Sequence, residues 1–358
     1  MKRALKKPVA SDLSYFNARV RAMRGALLRK ADYEPLMRLA SAEALLEKLK
    51  ATEYGPFIEA ASGRYAEPLE ALSNALVADL AGSLGQLWKI APDGARPLLK
   101  AVFSNWEVFD LKTLVRGLSR GVKRDEIKAA LIPAGEFDMA ALNTLLSSKD
   151  LPDLVGFLET WGSPYSGVLK PGLKEYQRSA RIIEMELGAD LRTNRLLLEA
   201  LSAGPADTRI MRDWLGLKAD LQNALTLFKI AGEGYAQEAA AGFFIEGGVK
   251  LKRSNFVRLS GLKGKEELLN ALKETGGSVI RNVLDKAGPD PMLMEEFAED
   301  ALKERLRALS IIDPLSIALP ASYIYMKVRE IKNLRLIARG AAFGVPLDEL
   351  RRLVFYPV

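Results

Sequence analysis

Three acidic residues recur at a constant interval and are the first candidates for chemistry in this sequence. Asp110 opens DLKTLVRG, Asp220 opens DLQNALTL and Glu330 opens EIKNLRLI, so an acid, an aliphatic residue and then Lys or Gln return every 110 residues. Carboxylates that converge could bind a divalent cation. We prefer a structural interpretation, because equivalent positions of repeated segments lie on different modules. An acid that starts a helical segment is also stabilised by the helix dipole.

The stretch GGVKLKRSNFVRLSGLKGKE, residues 247–266, is the part of the chain most similar to a phosphate or nucleic-acid binding segment. Six Lys or Arg surround Phe256. The P-loop spacing is absent, because Glu266 follows Gly264 and Lys265 where Ser or Thr is required. This charge pattern is typical of a solvated loop and helix start.

The 358 residues include neither cysteine nor histidine. This excludes disulfides, zinc sites built from Cys or His, cysteine nucleophiles and Ser-His-Asp triads. An enzyme would have to use carboxylates alone or a Ser-Lys pair, and neither leaves a recognisable spacing. The sequence therefore predicts a protein that is not an enzyme and that needs no cofactor, metal or small-molecule substrate.

Positive charge is concentrated at the N-terminus. Residues 1–30 contain nine Lys or Arg against Asp12, a sum of +8, whereas the whole chain carries +7. Such a cluster is typical of nucleic-acid binders, of docking faces for acidic proteins and of surfaces near anionic lipid headgroups. No apolar stretch follows it as in a secretory signal, and the uncharged residues 314–326 fall short of a membrane span. We expect a soluble chain in the cytoplasm.

Helical patterns dominate the elements that would position these residues. Apolar residues recur at spacings of three and four, as in Phe16, Val20, Met23 and Leu27, and alternating β-branched runs are few. Turns rich in Gly and Pro separate helices of ordinary length. The sequence predicts an all-α fold.

A second recurring helix indicates internal repetition. ALLEKLKAT, DLVGFLETW and ELLNALKET share two adjacent aliphatic residues and a leucine three positions on, which is Leu49, Leu158 or Leu272. Four residues before each aliphatic pair stand Ser41, Asp150 and Gly264, all suited to a helix N-cap. The two repeated elements alternate with one period, which predicts tandem helical repeats at 1–120, 121–232 and 233–358. Such repeats could close about a pseudo-threefold axis or stack as an open solenoid.

Three segments carry a resemblance to a known family: SYFNARVRAMRGALL (14–28), DLQNALTLFK (220–229) and MKVREIKNLRLIARGAAFGVPLDEL (326–350). They resemble the C subunit of the bacterial and archaeal V-type (A/V-type) ATP synthases, which is the relative of the d subunit of eukaryotic V-ATPases. The resemblance runs along the whole chain and is strongest at its two ends. It implies a funnel-shaped, all-helical protein of three similar domains.

The resemblance also implies a function. Members of this family are non-catalytic central-stalk subunits on the cytoplasmic face of the membrane. They join the shaft of the soluble sector to the rotating ring of membrane proteolipids, so that proton or sodium transport and ATP chemistry share one rotation. The partners implied are therefore the shaft subunits and the proteolipid ring, with no nucleic acid.

Five arginines near the chain ends are candidates for contact with these partners: Arg19, Arg21, Arg24, Arg335 and Arg339. Their long guanidinium groups suit carboxylates at protein interfaces. A solvated helix face is the alternative for each of them.

Two other functions stay open at this point. The first is a helical repeat scaffold that binds nucleic acid or acidic proteins through its basic N-terminus, which salt-sensitive binding lost on removal of residues 1–30 would favour. The second is an enzyme that uses carboxylates alone, which turnover with a divalent metal would favour.

Overall fold

The computed structural model describes residues 13–202, 206–231 and 233–356. The helices in these ranges, numbered in chain order, are α1 (Ser14–Gly25), α2 (Lys30–Met37), α3 (Ala42–Lys50), α4 (Gly55–Ser62), α5 (Pro68–Ile90), α6 (Arg96–Ser119), α7 (Arg124–Ala130), α8 (Met139–Leu146), α9 (Leu151–Thr160), α10 (Ser166–Ser179), α11 (Ile183–Ala200), α12 (Ala206–Ile230), α13 (Gln237–Ala241), α14 (Arg253–Ser260), α15 (Lys265–Thr275), α16 (Gly277–Ala287), α17 (Pro291–Ile312), α18 (Ala318–Phe343) and α19 (Leu347–Leu353). One isolated β-bridge joins Ala134 and Phe137. The all-α prediction is confirmed. Within the described ranges, every helix is too short or too polar to cross a membrane.

Three pairs of long helices pack together, α6 with α11, α12 with α17, and α18 with α5, and α17 also packs against α18. In the first pair Lys112 contacts Asp190 and Arg116 contacts Glu186. The step from Lys112 to Arg116 goes one turn toward the end of α6, while the step from Asp190 to Glu186 goes one turn toward the start of α11. The two helices therefore run antiparallel. The third pair brings the last long helix of the chain against the first, which closes the body.

Short helices connect the two members of the first and the second pair. Helices α7–α10 connect α6 to α11, and α13–α16 connect α12 to α17. The pair of α18 and α5 is flanked instead by α19 and by α1–α4, and α19 packs against α2. The two ends of the chain thus build one group of short helices together.

The predicted N-caps are confirmed. Ser41, Asp150 and Gly264 immediately precede α3, α9 and α15. The side-chain oxygens of Ser41 and Asp150 accept from the backbone N–H groups of Ala44 and Asp153, at 3.2 and 2.9 Å. These bonds satisfy donors that have no partner inside the helix, which fixes where each helix begins.

The interpretation of the recurring acids as helix starts is wrong. Asp110, Asp220 and Glu330 lie in the middle of α6, α12 and α18 and are buried. Each accepts hydrogen bonds from a segment distant in sequence. A buried carboxylate is costly unless it is hydrogen-bonded, so these residues position the segments that bond to them.

The hydrogen bonds show that Asp110 is not equivalent to Asp220, because the matching position on α6 lies one helical turn earlier. Three side chains accept a backbone N–H from 22 residues downstream: Asp110 from Ile132, Asn223 from Ile245 and Asn333 from Phe355. Three residues before the first two of these positions, Glu107 and Asp220 each accept a backbone N–H from 29 residues downstream, from Glu136 and Val249. Glu107, and not Asp110, therefore corresponds to Asp220.

A glycine allows each of these acids to approach the chain closely. Gly135 and Gly248 directly precede the donor residues, and a Cβ atom would lie 2.0 Å from Glu107 Oε1 at the first and 2.4 Å from Asp220 Oδ1 at the second. Gly135 also has a φ of +62°, which side chains disfavour. The stretch 247–251 is thus an internal anchor around Asp220, although its sequence resembles a phosphate-binding loop.

Glu330 makes the bond that closes the body. Its carboxylate accepts from the backbone N–H of Leu28 and from the Tyr54 hydroxyl. Lys327, 3.3 Å from Glu330, also pairs with Asp79 of α5 at 2.7 Å. The segment from Leu28 to Asp79 is therefore held to α18 by a buried polar network.

Stability should fall with rising pH because of Glu107. Burial raises the pKa of its carboxyl to about 7, above the value of about 4.5 expected in the unfolded chain. The folded state then binds the extra proton between these values, so the stabilisation is present below pH 4.5 and is lost as the pH rises through 7. Glu107→Gln keeps an acceptor for the Glu136 N–H. At pH 8 we expect urea denaturation to give this variant a free energy of unfolding roughly 2 kcal/mol higher than that of the wild type. This difference in the free energy of unfolding should vanish near pH 4, where Glu107 is protonated in both states. A difference that stays constant with pH would contradict the role given to the Glu107 charge.

Three aromatic side chains mark the centre of the body. Trp106 of α6, Trp214 of α12 and Tyr325 of α18 are completely buried. The Tyr325 ring lies 4.7 Å from that of Trp106 and 6.2 Å from that of Trp214, both edge-on. Such contacts between large rings add to the free energy of burial, so α6, α12 and α18 are fixed to one another at this point.

Candidate partner interface

A polar cavity lies beside the aromatic centre, between α6, α12, α17 and α18. We call it the central cavity. Its volume is about 120 Å³, and its walls combine apolar side chains such as Phe109 and Leu221 with many charged ones. The charged side chains are Lys112, Arg116, Asp190, Lys218, Lys229, Glu295, Glu296, Glu299 and Lys332.

Ion pairs cross this cavity from helix to helix. The shortest contacts are Lys112–Asp190 at 2.5 Å, Arg116–Glu186 at 2.6 Å, Lys229–Glu295 at 2.6 Å and Lys332–Glu299 at 2.7 Å. The Arg116 guanidinium donates two bonds to Glu186, at 2.6 and 2.9 Å. Bidentate pairs of this kind fix direction as well as distance. The network therefore joins α6, α11, α12, α17 and α18 into one unit.

The cations control how the acids of the cavity ionise. Burial by itself raises the pKa of the Glu295 carboxyl, but Lys229, Lys112 and Arg116 outweigh burial and bring it to about 2. The same balance lowers the pKa of Glu186. Because the folded pKa of Glu295 lies below the value of about 4.5 in the unfolded chain, its ionisation stabilises the fold above pH 4.5, and this stabilisation is lost as the pH falls toward 2. At neutral pH the acids of the network are therefore ionised.

The charged side chains of the cavity become more exposed toward one end of the surrounding helices. Side-chain exposure rises from 4% at Lys218 to 14% at Lys229 along α12, and from 13% at Lys112 to 33% at Arg116 along α6. Glu295, near the start of α17, is 34% exposed. The mouth therefore lies where α6 and α12 end, and Lys218 lies at the floor.

A second cavity of about 310 Å³ contains two of the predicted arginines, Arg335 and Arg339, beside Phe109 and Phe355. Arg335 is already engaged, since it donates to the backbone oxygens of Leu131 at 2.9 Å and Ala130 at 3.4 Å. Burial lowers the pKa of Arg335 to about 10, although Asp110 opposes this. Arg339 is exposed and has no ion pair within the described residues.

The other three predicted arginines lie on α1. Arg21 donates to the backbone oxygen of Pro314 at 2.6 Å, in the turn between α17 and α18. Arg19 is exposed and Arg24 half-buried, and neither forms an ion pair in the part of the chain that the structure describes. The end of α17 exposes Ile311 and Ile312, and the turn exposes Leu315; they are 64%, 78% and 54% accessible.

The five arginines therefore lie in two different regions of the body. Arg21 contacts the residues just before α18, whereas Arg335 and Arg339 lie some 17–21 residues into that helix. At 1.5 Å per residue the two sets are about 25–30 Å apart. The basic residues of 1–12, which the scaffold hypothesis needs, lie outside the described residues.

The charged side chains of the central cavity were missed by the sequence analysis. Their signal is a spacing of one turn between like charges on long helices, as in Lys112 and Arg116 or Glu295 and Glu299. On a single helix this spacing is equally typical of a solvated face.

Comparison with known proteins gives matches along nearly the whole chain. The family model described as ATP synthase (C/AC39) subunit matches residues 16–353. The C subunit of the A-type ATP synthase of Haloquadratum walsbyi is 29% identical over 345 residues, covering 96% of this chain and 98% of that protein. The C subunit of the V-type ATP synthase of Thermus thermophilus is 28% identical, covering 98% of this chain and all of that protein. The A-type counterpart from Methanocaldococcus jannaschii is 26% identical, covering 95% and 86%.

Proposed function

The chain belongs to the ATP synthase (C/AC39) subunit family, and from this premise we propose that it is the non-catalytic coupling subunit of the rotor. In this role it receives the shaft of the soluble sector on one side and sits on the proteolipid ring on the other, at the cytoplasmic face of the membrane. It transmits torque between them, so that ion flow and ATP chemistry share one rotation.

The observation that carries the proposal is the meeting of Trp106, Trp214 and Tyr325. They come from three long helices that hold the same place in their packed pairs, so the body has one centre about which it can turn. This supports the prediction of three tandem repeats (1–120, 121–232 and 233–358) arranged as a funnel about a pseudo-threefold axis. The packing does not follow these sequence boundaries everywhere. Helix α18, from the third repeat, packs against α5 and the other helices of the first repeat.

Transmission of torque requires that the body resist shear. Close-packed interiors have low compressibility, and here ion pairs also join neighbouring helices directly. Lys229 bridges Glu186 of α11 and Glu295 of α17, and Arg116 of α6 reaches the same two acids. Rotation of one helix pair relative to the next would break several such contacts at once.

We assign the two partners to opposite ends of α18. The shaft is proposed to bind at the mouth of the central cavity, where charged side chains form the rim. The ring is proposed to bind at the turn between α17 and α18, where Ile311, Ile312 and Leu315 are exposed next to Arg21. Interfaces of this kind combine an apolar centre with a polar rim.

Co-purification tests this proposal. We expect the chain to bind both the isolated shaft subunits and detergent-solubilised proteolipid rings. The triple variant Ile311→Ser, Ile312→Ser, Leu315→Ser should lose the ring and keep the shaft. The control Trp161→Ser, Val279→Ser, which changes exposed apolar residues among the short helices, should bind both. A chain that binds neither partner at low salt would refute the proposed function.

A further inference from the structure

Each of the helices α6, α12 and α18 carries a cation within four residues of its end, at Arg116, Lys229 and Arg339. Each cation stands six residues after the side chain that accepts a backbone N–H from 22 residues downstream, which is Asp110, Asn223 or Asn333. The three cations therefore occupy equivalent positions of the repeated architecture, at the same end of three central helices.

Two members of this set of cations are paired inside the chain. Arg116 Nε lies 2.6 Å from a carboxylate oxygen of Glu186 on α11, and Lys229 Nζ lies 2.6 Å from one of Glu295 on α17. In both cases the acid belongs to the long helix that packs against the helix of the cation. Arg339 is exposed and forms neither an ion pair nor a hydrogen bond with the residues that the structure describes. Arg339 is thus the member of the set that has no acid.

The acids near Arg339 are already used by other cations. Arg329 and Lys332 line the second cavity together with Arg339, and they share the carboxylates of Glu296 and Glu299 through four contacts of 2.5 to 3.4 Å. Two cations and two anions balance in this group. The charge of Arg339 therefore remains in excess at this place.

Arg339 also acts against its neighbour Arg335, which lies one turn earlier on α18. The charge of Arg339 is one of the causes that lower the pKa of Arg335, after burial, while Asp110 opposes the shift. Two guanidinium groups one turn apart repel each other. A carboxylate brought to Arg339 from outside would offset this repulsion.

Exposed apolar side chains surround Arg339. Phe343, one turn further along α18, is 76% exposed, and Leu353, which lines the second cavity with Arg339, is 37% exposed. Met292 is 75% exposed and adjoins Leu293, another residue of that cavity. Large apolar side chains exposed close together are typical of a surface that a protein partner covers. A free anion such as phosphate would leave them in water.

We propose that Arg339 is the contact for one carboxylate of the shaft, carried by a segment whose apolar side chains cover Phe343 and Leu353. The inference rests on the proposed function, which places the shaft at this end of α18. Because the Arg339 side chain is exposed, a partner seated at this end reaches it directly. The acid of the shaft would do for Arg339 what the acids of α11 and α17 do for the other two cations. The set of three ion pairs is then complete only in the assembled rotor.

The first test measures affinity for the isolated shaft subunits at low salt. We expect Arg339→Gln to bind about tenfold more weakly than the wild type, and Arg339→Glu about 100-fold more weakly because like charges then face each other. The controls Arg258→Gln and Arg258→Glu, at another exposed arginine with no ion pair among the described residues, should bind as the wild type does. The free Arg339→Gln chain should melt at the wild-type temperature, since it loses no internal contact.

The two ways of failing give different results. Shaft binding by Arg339→Glu as tight as that of the wild type would overturn this inference and leave the proposed function intact. A wild-type chain that does not bind the shaft at all would overturn both.

The second test identifies the acid. A carbodiimide joins a lysine amine to a carboxylate in contact with it, forming an amide with loss of water. Arg339→Lys in complex with the shaft subunits should therefore cross-link through residue 339 to an Asp or Glu of the shaft, located by mass spectrometry, whereas Arg258→Lys should give no such product. Reversal of that acid to Lys should restore the affinity lost in Arg339→Glu. A complex in which residue 339 cross-links to no shaft carboxylate would overturn the inference.

Discussion

Asp220→Ala is expected to lower the free energy of unfolding by about 4 kcal/mol, since three backbone donors would lose their acceptor at once. The Asp220 carboxylate accepts from the backbone N–H groups of Val249, Lys250 and Leu251 at 3.0, 2.9 and 2.9 Å. These donors lie in the segment that leads into α14. Alanine has no side-chain acceptor for them. Asp220→Asn keeps one oxygen and should lose about half as much.

Urea denaturation of three variants checks this result. Asp213 lies on the same helix as Asp220 but is exposed, so Asp213→Ala should change stability by less than about 0.5 kcal/mol. A loss at Asp220 no larger than the loss at Asp213 would show that the segment 247–251 does not depend on this anchor.

Glu330→Ala is expected to destabilise the chain by about 3–5 kcal/mol and to loosen one region in particular. The change removes the acceptor for Leu28 N–H and the Tyr54 hydroxyl, and it takes away one of the two carboxylates that pair with Lys327. Because these contacts hold the N-terminal helices to α18, amide hydrogen exchange should rise most in residues 28–62. Residues 124–179 pack against α6 and α11 and should change least.

The control for this experiment is Glu349→Ala, at an exposed acid of α19. Its exchange pattern should match the wild type. An increase spread evenly along the chain in Glu330→Ala would contradict the role of Glu330 in closing the body, since the loss would then be global.

Local signals in the sequence were sufficient for the helices and their starts. Ser41 and Asp150 cap α3 and α9 through bonds to residues three positions away, so the chemistry is contained in a few consecutive letters. The recurrence of acids was also real. The sequence could not show which acid of α6 corresponds to Asp220, however, because Glu107 and Asp110 are both acidic and lie one turn apart on the same buried helix. Only their backbone partners, 29 and 22 residues downstream, distinguish them.

The candidate interface depended on contacts that no local pattern records. The arginines were grouped by their nearness to the chain ends, but Arg21 contacts Pro314 just before α18, whereas Arg335 lies within α18 and contacts Ala130 and Leu131. Lys218 was missed for a different reason. An isolated lysine in an amphipathic helix is typical of a solvated face, and α12 buries it because other long helices surround α12 at the centre of the body.

Reconstitution of ion pumping tests the central claim most directly. The soluble sector with its shaft is combined with vesicles containing the proteolipid ring and the rest of the membrane sector, with and without this chain, and ATP hydrolysis and ion uptake are measured together. Hydrolysis without ion uptake in the absence of the chain, and uptake restored on its addition, is the result expected of a protein that couples the two sectors. Ion uptake that proceeds equally without the chain would contradict that role.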